Sequence, residues 1–231
     1  MDQASKRRTE RPAEGVIQFR AEHQRRVLSA AELGPVFEAL SGWRCLLFRL
    51  GAIGQDACRY EGVGFGNVSA RLMPFTAGRG RRSFLVSGTQ TGGRERLSPA
   101  DFARVTSYDV KKNLVISDGP CLPSSESLTH AMIYDLAPEV RVVIHGHCPE
   151  PFESRRRLRL PTTAPEVGYG TPEMAFEVAR LFRDTTLSET GVFAMGGHPD
   201  GVVAFGRSVS EAGGRLVSIL AAAMSAAVLK P

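Results

Sequence analysis

Two histidines, His145 and His147, stand two residues apart at the end of the β-branched run Val140 to Ile144. On a strand that spacing turns both imidazoles to one face. Two imidazoles on one face suit a tetrahedral cation that favours nitrogen, and Gly146 between them leaves room for its close approach. The competing reading, strand-end histidines that only hydrogen-bond to loops, gives no reason for the glycine. His198 lies in the turn GGHPDG between two apolar runs, and on its own reads as a turn residue. His130 falls inside a helical stretch and reads as a packed, hydrogen-bonded histidine. His23 belongs to a basic arm and suggests no chemistry. Cys148 follows His147, faces the other side of a strand, and reads as an inert thiol.

Glu126 follows Ser124 and Ser125. This is a good helix start, with the acid complementing the helix dipole. It is also where a proton-transfer carboxylate could face a metal, if its surroundings tune its pKa. Free N–H groups at such a start, beside two hydroxyls, can hold an anion. Asn67 after Gly66, and the run Ser87 to Gly93, are donor-rich turns that can form anion nests. Neither ends in GK[ST], so neither is a P-loop.

The elements that must place these groups follow from periodicity. Apolar residues from about 31 to 50 recur at helical spacing until Gly51 and Gly54. Strands are expected at 67–71, 83–86, 105–110 and 114–117, the last two joined at Lys111-Lys112-Asn113. A helix over 124–137 stops at Pro138. A second opens at Thr171-Pro172-Glu173, with a capping hydroxyl, proline at the first helical position and an acid in the first turn. A hairpin spans 191–205, and Ser208 to Glu211 forms a capping box for the last helix. Hairpins with helices before, between and after them predict a three-layer α/β/α domain around a central, mainly antiparallel sheet. Its expected limits are 28–231, preceded by a basic, partly mobile arm over 1–27.

The 231 residues carry a net charge of +5, but the excess sits in separate arginine runs. These are Arg7-Arg8, Arg79 to Arg82, and Arg155 to Arg159. No aromatic residues interleave with them, which argues against a stacking platform for nucleic acid and leaves solvated loops, an anionic small molecule or a subunit contact. No CxxC pair occurs among the four cysteines, so they read as reduced thiols of a cytoplasmic protein. The last helix is interrupted by Arg215 and falls short of a membrane span.

The motifs GNVSAR (66–71), FLVSGTQTGG (84–93), PSSESLTH (123–130), VVIHGH (142–147) and MGGHPDGVVAFG (195–206) occur in an order that resembles the class II aldolase/adducin family. The resemblance implies roles residue by residue. His145, His147 and His198 would ligate zinc, with manganese or cobalt also acceptable to imidazoles. Glu126 would be the acid/base carboxylate, while Ser124, Ser125, Asn67, Thr91 and Gly92 would hold an anionic part of the substrate. The implied reaction is metal-dependent aldol or retro-aldol chemistry on a keto-sugar or hydroxy acid through a stabilised enediolate. Epimerisation or dehydration on the same site is the alternative. A non-catalytic adducin-like domain is a further one, opposed by the presence of all three histidines. A homotetramer is also implied. Between His147 and Gly170 the chain is shorter than in the aldolases, which there carry a tyrosine used across the subunit interface. Tyr169 lies close to the following helix and is given no such role.

Overall fold

The computed structural model describes residues 15–228, so the start of the expected arm, residues 1–14, lies outside the described residues. The described residues form ten strands: β1 (Arg20–Arg25), β2 (Gly54–Gln55), β3 (Gly64–Phe65), β4 (Asn67–Arg71), β5 (Phe84–Ser87), β6 (Phe102–Asp109), β7 (Leu114–Gly119), β8 (Val142–His147), β9 (Val192–Ala194) and β10 (Gly201–Gly206). β2 and β3 form a separate two-stranded ribbon, and the other eight make one sheet in the order β1-β7-β6-β5-β4-β8-β10-β9. Its pairings are antiparallel except β1 with β7.

Among the described residues seven α-helices flank it: α1 (Ala30–Leu33), α2 (Phe37–Arg49), α3 (Ser127–Leu136), α4 (Pro149–Glu153), α5 (Pro172–Asp184), α6 (Leu187–Thr190) and α7 (Val209–Val228). The alternation of the strands divides the core in two. Val143 and Val203 face α3 and α5 in one apolar cluster, and Val142, Ile144, Val202 and Ala204 face α2 and α7 in the other. The architecture is the expected α/β/α sandwich on a mainly antiparallel sheet.

Several elements differ from the sequence reading. Residues 20–25, read as arm, form the parallel edge strand β1, whose largely exposed residues carry no period-two apolar signal. The helix expected over 31–50 is broken at Gly34-Pro35. Gly34 takes a φ of 72° and Pro35 cannot donate an amide, so α1 ends and α2 starts afresh. α3 begins at Ser127, three residues late, and leaves Glu126 at its N-cap with φ −98° and ψ 13°.

Candidate metal centre

β8 brings His145 and His147 to the α3-facing side of the sheet, as period two requires. β10 runs antiparallel to β8, with Gly201 opposite His147. The turn before β10 therefore folds His198 back over the strand end, and the His198 amide closes that turn by donating to Met195 O at 2.9 Å. The three imidazoles are buried, and one ring nitrogen from each lies within 4.8 Å of the others. The ring centroids of His145 and His147 are 4.9 Å apart, those of His147 and His198 4.7 Å.

Glu126 enters from the N-cap of α3 and joins the cluster. Its Oε2 lies 3.0 Å from His145 Nε2 and its Oε1 3.0 Å from His198 Nδ1. Asn67 Nδ2 donates to the same Oε2 at 3.0 Å, because Asn67 stands opposite His145 in the β4–β8 pairing. The Ser124 hydroxyl accepts the Glu126 amide at 3.3 Å. Burial disfavours the Glu126 carboxylate, but the neighbouring His145 and His198 outweigh it and hold the pKa below the usual range. Burial, with the other two histidines and Arg59, pushes His147 well below the ordinary imidazole value. Neutral imidazole is the form that ligates metals, so this donor set fits a divalent cation.

Behind this cluster, Ser69 Oγ hydrogen-bonds to His130 Nδ1 at 2.8 Å and to Tyr134 Oη at 2.7 Å. His130 is thus the packed histidine the sequence suggests, with burial lowering its pKa to about 3. Cys148 packs into the opposite cluster, and burial raises its thiol to about 12.

The expected anion-binding positions line the same end of the sheet. Ser124 and Ser125 are buried. The segment before them is tied to the 87–93 loop by the Gly88–Pro123 bridge and by the Thr89 amide donating to Leu122 O at 3.1 Å. The Thr91 hydroxyl is spent on Gly88 O at 2.9 Å, so this segment presents backbone rather than side chain. Gly92 packs so tightly that a Cβ there would lie 2.3 Å from Gly54 O. The Asn67 side-chain amide is engaged with Glu126.

Two tyrosines lie near the histidines: Tyr60, which the sequence reading does not single out, and Tyr169, to which it gives no role. Tyr169 is buried, its ring stacked on His198 with centroids 4.5 Å apart. The turn before α5 reaches this point because Gly170 adopts a φ of 68° against Ser125 O. Tyr60 meets His147 edge-on at 4.4 Å, donates from Oη to Asp200 Oδ2 at 2.5 Å and accepts from Arg59 Nη2 at 2.8 Å. It sits in a turn with consecutive positive φ at Tyr60, Glu61 and Gly62. Glycine-rich flanks mark the turn in the sequence, but nothing there tells where it folds.

Residues 57–151 match the family model described as Class II Aldolase and Adducin N-terminal domain. Among solved structures, L-fuculose-1-phosphate aldolase from Thermus thermophilus is 21% identical with a TM-score of 0.59, over 84% of this chain and 93% of that one. A sugar-phosphate aldolase from Thermotoga maritima is 17% identical with a TM-score of 0.60, over 84% and 95%. An aldolase II superfamily protein from Pseudomonas syringae is 16% identical with a TM-score of 0.59, over 87% and 77%. A comparison with curated proteins gives no match. The chain therefore has the class II aldolase fold, and its resemblance to that family extends from the motifs to the architecture.

Proposed function

We propose that this chain is a metal-dependent lyase that breaks a carbon–carbon bond by retro-aldol cleavage of a hydroxylated ketone or acid. The observation that carries this reading is Glu126, with one carboxylate oxygen 3.0 Å from His145 and the other 3.0 Å from His198 inside a buried three-histidine cluster. The fold shared with aldolases supports it, and so does the 57–151 family match.

In this reading His145, His147 and His198 hold zinc, the divalent ion that favours imidazole nitrogen; manganese or cobalt would also be accepted. The bound ion supplies Lewis acidity toward the substrate oxygens and the negative charge that develops on them. Glu126 moves the proton. Asn67 donates to one of its oxygens and fixes the orientation of the oxygen that takes the proton. Ser124, Ser125 and the backbone of Thr91-Gly92 receive the anionic part of the substrate. The buried walls, including Tyr169 over His198, keep water from the charge that builds during cleavage.

The test is a screen of β-hydroxy ketones and β-hydroxy acids for aldehyde release, and of α-hydroxyketones for exchange of the α-proton with deuterated solvent. Glu126→Gln keeps the hydrogen-bonding shape and removes the base. It is expected to lower exchange by about 10²–10⁴-fold while metal content stays unchanged. Exchange that persists in this variant would remove Glu126 from the role.

A further inference from the structure

At the end of β4 remote from the histidines, Arg71 is 3% exposed. Its Nη2 donates to Phe75 O at 3.1 Å, but Nε and Nη1 are enclosed and have no hydrogen-bond partner among the described residues. One residue beyond the Ala70–Val142 pair, the Arg71 amide bonds to Arg141 O at 2.7 Å, so two arginines face each other across adjacent strands. Like charges so placed repel. Both guanidinium carbons lie over Phe75, at 5.7 Å for Arg71 and 4.0 Å for Arg141. The nearby carboxylate is already engaged. Asp135 accepts from Tyr108 Oη at 2.8 Å and from the Gly80 amide at 3.2 Å, and it pairs with Arg82 at 3.7 Å. No acid pairs with Arg71 among the described residues.

A buried guanidinium with two unmet nitrogens and a like charge beside it is costly unless something negative sits there. Water would satisfy a donor and leave the charge uncompensated. We propose that Arg71 and Arg141 form a binding site for a small inorganic anion of chloride size, under the loop Leu72 to Ala77. The enclosure of Nε and Nη1 favours a monatomic ion over a phosphate. Four residues along β4 separate this site from Asn67, about 13 Å at ~3.3 Å per residue, so it is distinct from the histidine cluster. Its ion would bridge β4, β8 and the covering loop and make the stability of that end of the sheet depend on the anion.

Bromide-soaked crystals of the full chain test this directly, together with thermal unfolding in sodium chloride and in sodium gluconate at equal ionic strength. Arg141 is half-buried at the edge of the site, so Arg141→Gln leaves the buried Arg71 in place. The expected results are an anomalous peak within hydrogen-bonding distance of Arg71 Nε or Nη1, a higher Tm in chloride than in gluconate, and loss of that difference in Arg141→Gln. No bromide signal beside Arg71, or a chloride advantage that Arg141→Gln keeps in full, would overturn the proposal.

Discussion

Arg44 lies on α2, 1% exposed, and its guanidinium faces backbone rather than an acid. Nη2 donates to Thr91 O at 3.0 Å and Gly92 O at 2.9 Å, while Nη1 donates to Glu95 O at 2.9 Å and to Arg94 O. Because peptide units are trans, turning the Thr91 and Gly92 carbonyls toward α2 turns the Gly92 and Gly93 amides to the opposite side. On that side Gly64 comes close, since a Cβ added to it would lie 3.0 Å from the Gly92 nitrogen. Arg44→Met removes all four bonds. Thr91 and Gly92 are buried, so two carbonyls lose their partner without gaining water, at ~1–3 kcal/mol each. Arg94 and Glu95 are exposed and can be rehydrated. The total is about 4 kcal/mol, which for a domain of this size lowers Tm by roughly 8–16 °C. Arg44→Lys restores the charge but offers three donors to four carbonyls, and should recover only part of the loss. Differential scanning calorimetry measures the stability, and metal analysis of the same samples should show unchanged content. A Tm drop below ~3 °C for Arg44→Met would refute the reasoning that this side chain holds the loop.

Two further outcomes follow from the histidine surroundings. The folded-state pKa of His130, lowered to about 3 by burial against the partly compensating Glu126, lies below the 6.5 of a free imidazole. The unfolded chain therefore binds the extra proton between these values, and stability present above about pH 6.5 is lost as pH falls toward 3. His130→Asn should flatten this limb in urea midpoints taken at pH 7 and pH 4.5; an unchanged slope would count against it. Tyr60→Ala removes the ring against His147 and is expected to weaken metal retention about 10–100-fold in chelator competition. Tyr60→Phe keeps the ring and should lose little, so equal losses in both variants would contradict a packing role.

How much of this was legible in the sequence depends on how local the signal is. His145 and His147 share a face because strand periodicity is two, and that needs no tertiary knowledge. The hairpin holding His198 was equally readable from its two apolar runs and polar turn. Its meeting with His147 was not, because it depends on the antiparallel register of β10 on β8. Glu126 stood out in the sequence as an acid at a helix start, but its place between His145 and His198 is tertiary, made by the N-cap position it takes before α3. β1 hid in a polar stretch because a parallel edge strand with largely exposed residues has no apolar alternation. Tyr60 and Tyr169 reach the site through positive-φ turns at 60–62 and Gly170, whose direction no periodicity encodes.

Everything proposed for the site depends on a metal ion held by His145, His147 and His198. Plasma mass spectrometry of protein purified without added metal or a histidine tag, beside a His145→Ala/His147→Ala double variant, tests it most directly. Near-stoichiometric zinc or manganese is expected in the native protein, and its loss in the variant. Native protein without metal, or a variant that keeps it, would mean that the three histidines are not a metal site and would favour the non-catalytic reading of the fold.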